Sequence, residues 1–239
     1  MVFMRSMVFT LIFLGFALSE VGCAPREPTY GQEQTKVLLT RRRQVWAVAP
    51  AINLSGEKGV DAFLQADLVF QQLKVLGMTP IPVNRVAEVY AALRIERVSS
   101  PLQAALVCDL LQCDGLIVPT ITIFDTYNPP KFGGALQLFI KPASFSRPIN
   151  VDPRELARQA TPMKVDNMPA SGDLIQAVGM FDAANGTVRD RVHLYAKGRY
   201  DPTGPLGEKE YFMVMDRYCG FAYSELIEQL IVSPKLNGL

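Results

Sequence analysis

The chain has 239 residues, a formal net charge of +1, a single histidine and four cysteines. A balance this close to neutral gives no global attraction to nucleic acid. One histidine excludes His-rich metal sites and the HExxH helix, and it confines any Ser/His/Asp triad to His193.

Residues 1–6 carry one charge, Arg5, and Met7–Leu18 is apolar without interruption. An apolar run of about 12 residues is too short for a hydrocarbon core, which takes roughly 20. With Arg5 ahead of it, the run fits the h-region of a secretory signal over residues 1–22. Val21-Gly22-Cys23 fits a bacterial lipobox, which makes Cys23 a lipid-attachment site and the first residue of the mature chain; Glu20 stands where a lipobox usually carries an aliphatic residue. Three readings stay open: an acylated Cys23, a plain cleaved signal, and an uncleaved anchor. Residues 23–43 are polar, Pro-containing and aperiodic, the composition of a tether. Arg41-Arg42-Arg43 closes it, as a solvated strand entrance in the first place or else a contact for anionic headgroups or nucleic acid.

The ordered domain spans 44–232. Val45–Pro50 is a β-rich apolar run, followed by a loop over Asn53–Gly59 with Ser55 near the next helix start. Val60–Leu76 reads as a helix with Phe63, Ala66, Phe70 and Leu73 on one face and Gly77 as its stop. Met78–Val83 reads as a short strand near an edge, because it holds two prolines. Asn84 is placed to cap a second helix, through about Ile95. Ser100-Pro101 opens a third, through Cys113. Cys108 and Cys113, five apart on that helix, point in different directions, so the cysteines read as small buried apolar residues with neither a disulfide framework nor a zinc site.

Gly115–Phe124 carries the strongest strand signal, apolar on both faces in its first half, with Pro119 in its middle. It pairs antiparallel with Gly134–Lys141 through the Asp125–Pro130 loop, and Leu136, Leu138 and Ile140 share a face. Residues 142–172 form a Pro-rich excursion with a capping-box start at Asp152-Pro153-Arg154-Glu155. Leu174–Asp182 and Val188–Ala196 then read as a hairpin around Asn185-Gly186. An amphipathic helix follows over Glu210–Val232, with residues 233–239 as a tail. The order implies an α/β fold, a single domain in which helices pack on a mixed β-sheet.

In the expected hairpin, alternation puts Val188, Val192, Leu194 and Ala196 on one face and Arg189, Arg191, His193, Tyr195 and Lys197 on the other. That is a solvated basic strand face or a surface for an anionic partner. Ser55-Gly56-Glu57-Lys58-Gly59 lacks the GxxxxGK[ST] arrangement and reads as turn chemistry. Asp114, Asp125 and Asp182 are scattered at strand ends. No catalytic residue, cofactor or metal is expected.

Taken together, Val45–Gly56 (VWAVAPAINLSG), the helix after it, Cys113–Val118 (CDGLIV) and Phe181–Val188 (FDAANGTV) resemble the CsgG-like lipoproteins, a group that includes the curli-secretion and penicillin-binding-protein-activator lipoproteins and the TolB amino-terminal-like domains. The resemblance spans roughly residues 44–232. It implies an α/β domain in the periplasm, held by lipid, that works through protein contacts and has no catalytic residue. Pore-forming members insert membrane hairpins with strands of about 9–11 residues; the polar, Pro-rich excursion argues against a pore here. Ala24 after Cys23 favours the outer membrane. The expected partners are the membrane, through the N-terminal lipid, and an envelope protein or further copies of the chain; neither nucleic acid nor metal is among them. Contacts are expected at Tyr127, Pro129, Pro130 and Lys131 in the Pro-Pro loop, in the 142–172 excursion, and at Arg189, Arg191 and His193 on the basic face. The alternative is a secreted ligand-binding protein or enzyme with its site at the strand carboxyl ends, near Asn53–Gly59 and Asp125–Asn128.

Overall fold

A computed structural model of the chain describes residues 44–141 and 174–237. Its sheet contains β1 (Trp46–Val48), β2 (Ile52–Asn53), β3 (Gly115–Asp125), β4 (Lys131–Ile140) and β5 (Leu174–Asp182) in the order β1-β3-β4-β5, with β2 also on β3. β1 and β2 run parallel to β3, and β3, β4 and β5 are mutually antiparallel, so the sheet is mixed. Pro119 is accommodated in a central strand for a local reason. The parallel pairings stop at Val48↔Ile117 and resume at Ile52↔Thr120, which leaves Pro119 outside both while it stays in register with Leu136 on β4. At the start of β3, Asp114 and Val45 clasp each other: the Val45 N–H donates to the Asp114 carboxylate and the Asp114 N–H to the Val45 carbonyl, each at 2.8 Å.

Both faces of the sheet are used, unequally. On one face Trp46, Val48, Ile117, Ile121, Phe132, Leu136, Leu138, Ile175, Ala177 and Phe181 form a single core with helices α1 (Ala62–Val75), α4 (Gly186–Ala196) and α6 (Met215–Val232). On the other face Ala47, Ala49, Leu116, Val118 and Phe139 pack under α2 (Val83–Leu93) and α3 (Pro101–Leu111), where Val86, Tyr90, Leu93, Ala105 and Cys108 are buried. Each large side chain buried this way contributes about 1.5–3 kcal/mol.

Helix starts and stops follow cap chemistry, with some departures from the sequence reading. Asp61 caps α1, accepting from the N–H groups of Phe63 and Leu64. Its buried face is Gln65, Ala66, Val69 and Leu73, so the stripe is rotated from the expected one and Phe63 is half exposed. Gln65 belongs inside because the Tyr223 hydroxyl donates to its Oε1 at 3.0 Å, which satisfies both groups. Pro82, not Asn84, occupies the cap position of α2. Ser100 caps α3 through the Gln103 N–H, as expected.

All three helices end in the same turn. Gly77, Arg94 and Gln112 adopt left-handed conformations, at φ of 84°, 57° and 54°. In each case the next N–H reaches back five residues, from Met78 to Leu73, Ile95 to Tyr90 and Cys113 to Cys108. Cys113 therefore folds back over Cys108 instead of projecting around a continuing helix. Cys108, Cys113 and Cys219 are all buried free thiols.

Three expected elements differ. Met78–Val83 is no strand; it touches the sheet as one isolated bridge, Ala47↔Ile81. The helix expected over Glu210–Val232 breaks at Val214, whose extended backbone separates α5 (Glu210–Met213) from α6. The hairpin expected around Asn185-Gly186 does not form. β5 is its first strand, but Val188–Ala196 lies in α4, whose cap is Asn185, accepting from the Thr187 N–H. A last turn of helix, α7, covers Pro234–Asn237. No helix among the described residues is long and apolar enough to cross a membrane.

Candidate partner-binding surface

The β3–β4 turn closes the end of the sheet where β3 and β5 finish. Asp125, Lys131 and Asp182 form one row across β3, β4 and β5. Lys131 Nζ lies 3.3 Å from Asp182 Oδ2. Asp182 also accepts from the Ala184 N–H, and that hydrogen bond, with Lys131 beside it, holds the carboxyl below its usual range. The Pro130 carbonyl accepts from the Ala183 N–H at 3.0 Å, so the loop is fastened to the turn that leads into α4. Tyr127 stands out from this base, 84% exposed, with its N–H held by Asp125 Oδ1. Pro129 is exposed and follows a cis peptide bond; Pro130 is buried and is not available for contact.

The other expected contacts do not form a face. On a helix, positions two apart point about 200° around the axis from each other, so Arg189, Arg191 and His193 separate. Arg189 is exposed in the first turn of α4. Arg191 turns inward, ion-paired with Glu225 of α6 and lying over the Phe181 ring. His193 Nδ1 sits 2.7 Å from Glu208 Oε1, and its ring packs against Phe212. Tyr195, expected on the basic face, is buried, and its hydroxyl donates to Gln72 of α1. The structure thus gathers Tyr127, Pro129 and Lys131 at one end, with Arg189 in the helix that follows, and commits Arg191 and His193 to contacts within the fold. Cys23, Arg41–Arg43 and the 142–172 excursion, with its Asp152–Glu155 helix start, lie outside the described residues.

Sequence reasoning missed a further surface. The α2–α3 layer covers only the half of its sheet face near the start of β3. Beyond it, successive rows read Thr120-Ala135-Val178 and Ile123-Gly133-Met180; Ala135 and Gly133 in the middle are buried, while Ile123, Val178 and Met180 on either side are exposed. Val178 is 64% exposed and Met180 66%. Leu54, which leaves β2 beside Ile121, is 63% exposed. Gly133 has no side chain to interrupt the strip, and a Cβ there would press on Ile123. The signal was present: on an edge strand, Val178 and Met180 occupy the register opposite to the buried Ile175, Ala177 and Phe181.

At the strand carboxyl ends proposed for a small-ligand site, the polar groups are already engaged. Asn53 accepts from the Ser55 N–H and hydroxyl and donates to the Glu57 carbonyl, while the Glu57 N–H goes to the Ser55 hydroxyl. The first N–H groups of α1 belong to Asp61, not Ser55. An open cavity of about 460 Å³ lies elsewhere, lined by Glu225, Glu228, Gln229, Val232, Ser233 and Pro234. Among the described residues there is no group of three or more His, Cys, Asp or Glu side chains able to hold a metal ion.

No protein-family model matches the chain, and no curated protein does. Among solved structures it is similar to lipoprotein GNA1162 from Neisseria meningitidis, at 12% identity and a TM-score of 0.37 over 64% of this chain and 96% of that one. It is similar to the LpoB C-terminal domain from Salmonella enterica, at 8% identity and a TM-score of 0.35 over 64% and 99% of the two chains. The PelC dodecamer from Paraburkholderia phytofirmans gives 8% identity and a TM-score of 0.38 over 81% and 90%.

Proposed function

We propose that this chain is a non-catalytic protein-interaction module of the bacterial envelope, held by lipid at Cys23 on the periplasmic face of the outer membrane. It engages a protein partner through the open half of the sheet face and the Tyr127 loop. One observation carries the partner surface: Val178 and Met180 stand exposed on β5, and on the same sheet face Ile123 of β3, across Gly133 of β4, and Leu54 after β2 are exposed as well. Covering Val178 and Met180 contributes about 1.5–3 kcal/mol each. The exposed Tyr127 supplies an aromatic anchor of the kind that dominates interface energies. The anchor reading rests on the signal-like run, Cys23 and the polar residues that follow it.

The test uses the full chain in its host, with a photo-activatable residue at Val178. A discrete crosslinked adduct that disappears with Met180→Thr and Tyr127→Ala, and that is absent when the probe stands at Glu88 on α2, supports the surface. Equal crosslinking from both probe positions overturns it. An adduct of twice the chain mass identifies the partner as a second copy. For the anchor, the intact mass of membrane-derived protein is compared with Cys23→Ser; a mature chain without acyl mass overturns lipidation.

A further inference from the structure

We propose that Cys108 and Cys113 are a redox pair that closes into an intramolecular disulfide when the chain folds under oxidising conditions. The geometry comes from the end of α3. Gln112 takes the left-handed conformation, its N–H returns to the Asp109 carbonyl at 3.2 Å, and the Cys113 N–H returns to the Cys108 carbonyl at 2.9 Å. That double closure brings together the side chains of the two residues it spans, a contact that is usually hydrophobic. Here both are thiols, hydrogen-bonded to each other and buried between α3 and the sheet. Cys219 is buried in the other core, on the opposite face of the sheet, so among the described cysteines only Cys108 and Cys113 are placed to pair.

The two sulfurs are also unlike each other. The hydrogen bond to Cys113, together with burial, pushes the Cys108 thiol well up. The same bond holds Cys113 down, assisted by the backbone N–H groups of Gly115 and Ala47. Those shifts belong to the packed domain; before α3 is seated either thiolate can attack first, and one route starts at Cys113. With glutathione disulfide as oxidant, the Cys113 sulfur bonds to one glutathione sulfur and expels the other as thiolate. Cys108 then loses its proton and attacks the Cys113 sulfur, expelling the second glutathione thiolate. The two released thiolates take up two protons, so the protein dithiol is oxidised as one disulfide is reduced. Because both sulfurs are covered in the folded domain, the exchange takes place while α3 is not yet seated on β3.

The experiment refolds the purified full chain from denaturant in a glutathione redox buffer, alkylates the remaining thiols under denaturing conditions, and digests with trypsin. The peptide Val98–Lys131 contains both cysteines and no internal cleavage site. The expected result is that peptide two hydrogens lighter than its dithiol form and unalkylated, gaining two alkyl groups only after reduction, with Cys219 alkylated throughout. Cys108→Ser is expected to leave Cys113 carrying a glutathione adduct. Recovery of Val98–Lys131 with both cysteines alkylated before reduction, or of either cysteine bridged to Cys219, overturns the proposal.

Discussion

Arg94 and Gln112 share a backbone conformation that L-residues with a Cβ enter only at a cost of roughly 1–2 kcal/mol. Gln112 recovers part of it, since its Nε2 donates to the Asp109 carbonyl at 2.6 Å. Arg94→Gly is therefore the more stabilising change, expected to raise unfolding free energy by about 1 kcal/mol in urea titrations, with Gln112→Gly giving less. Glu228 supplies a second residue-scale test. Burial and the neighbouring Glu225 raise its pKa, against the pull of Arg199. A carboxyl with a raised folded pKa binds protons more readily in the folded state, so stability falls as pH rises from the unfolded value through the folded one. Glu228→Gln is expected to raise Tm at pH 7 and to lose that advantage below about pH 4. Neither turn residue was legible in the sequence: Gly77 announces a left-handed stop, whereas Arg94 and Gln112 are ordinary helix formers held there by the hydrogen bonds that close behind them.

At the scale of elements, what the sequence shows best is what local chemistry decides. The Ser100-Pro101 start of α3 and the antiparallel β3–β4 pair follow from caps and alternation. The residues of α4 were ambiguous because VRDRVHLYA combines β-branched and aromatic residues with an Asn-Gly doublet ahead of them, the composition of a hairpin. The deciding pattern is the burial of Val188, Val192, Tyr195 and Ala196, spaced by four, three and one, which is a helical stripe. Asn185 serves as a cap rather than a turn. Asn185→Ala is accordingly expected to destabilise the domain by about 1 kcal/mol, and calorimetry or urea unfolding measures it. Under a hairpin the same change would have acted on the β5 register instead. The inward glutamines of α1, Gln65 and Gln72, were hidden for a different reason: they depend on partners far away in sequence, Tyr223 and Tyr195 across the core.

Among the described residues the molecule is asymmetric about its sheet: one face is fully covered, the other only over the half that holds α2 and α3. Substitutions on the two faces should therefore separate fold from contact. Val178→Thr and Met180→Thr keep β propensity while removing apolar surface, and each is expected to change stability by no more than about 0.5 kcal/mol. Leu136→Ala, on the covered face and fully buried, is expected to cost about 2–5 kcal/mol. Similar losses at both positions in urea titrations would mean that the open half is packed in solution. This asymmetry was beyond the sequence, because alternation shows which side chains share a face but not how far along that face a helix layer reaches.

The clasp between Val45 and Asp114 gives the domain a direction. The chain enters the sheet there, at the beginning of β3, and the Tyr127 loop lies past the far end of the same strand. With 11 residues in β3 and about 3.3 Å of rise for each, the two points stand roughly 35 Å apart. With the proposed attachment at Cys23, the point of entry and the Tyr127 loop are at opposite ends of one strand, so a partner that grips the loop is held a full strand length from where the chain enters the sheet.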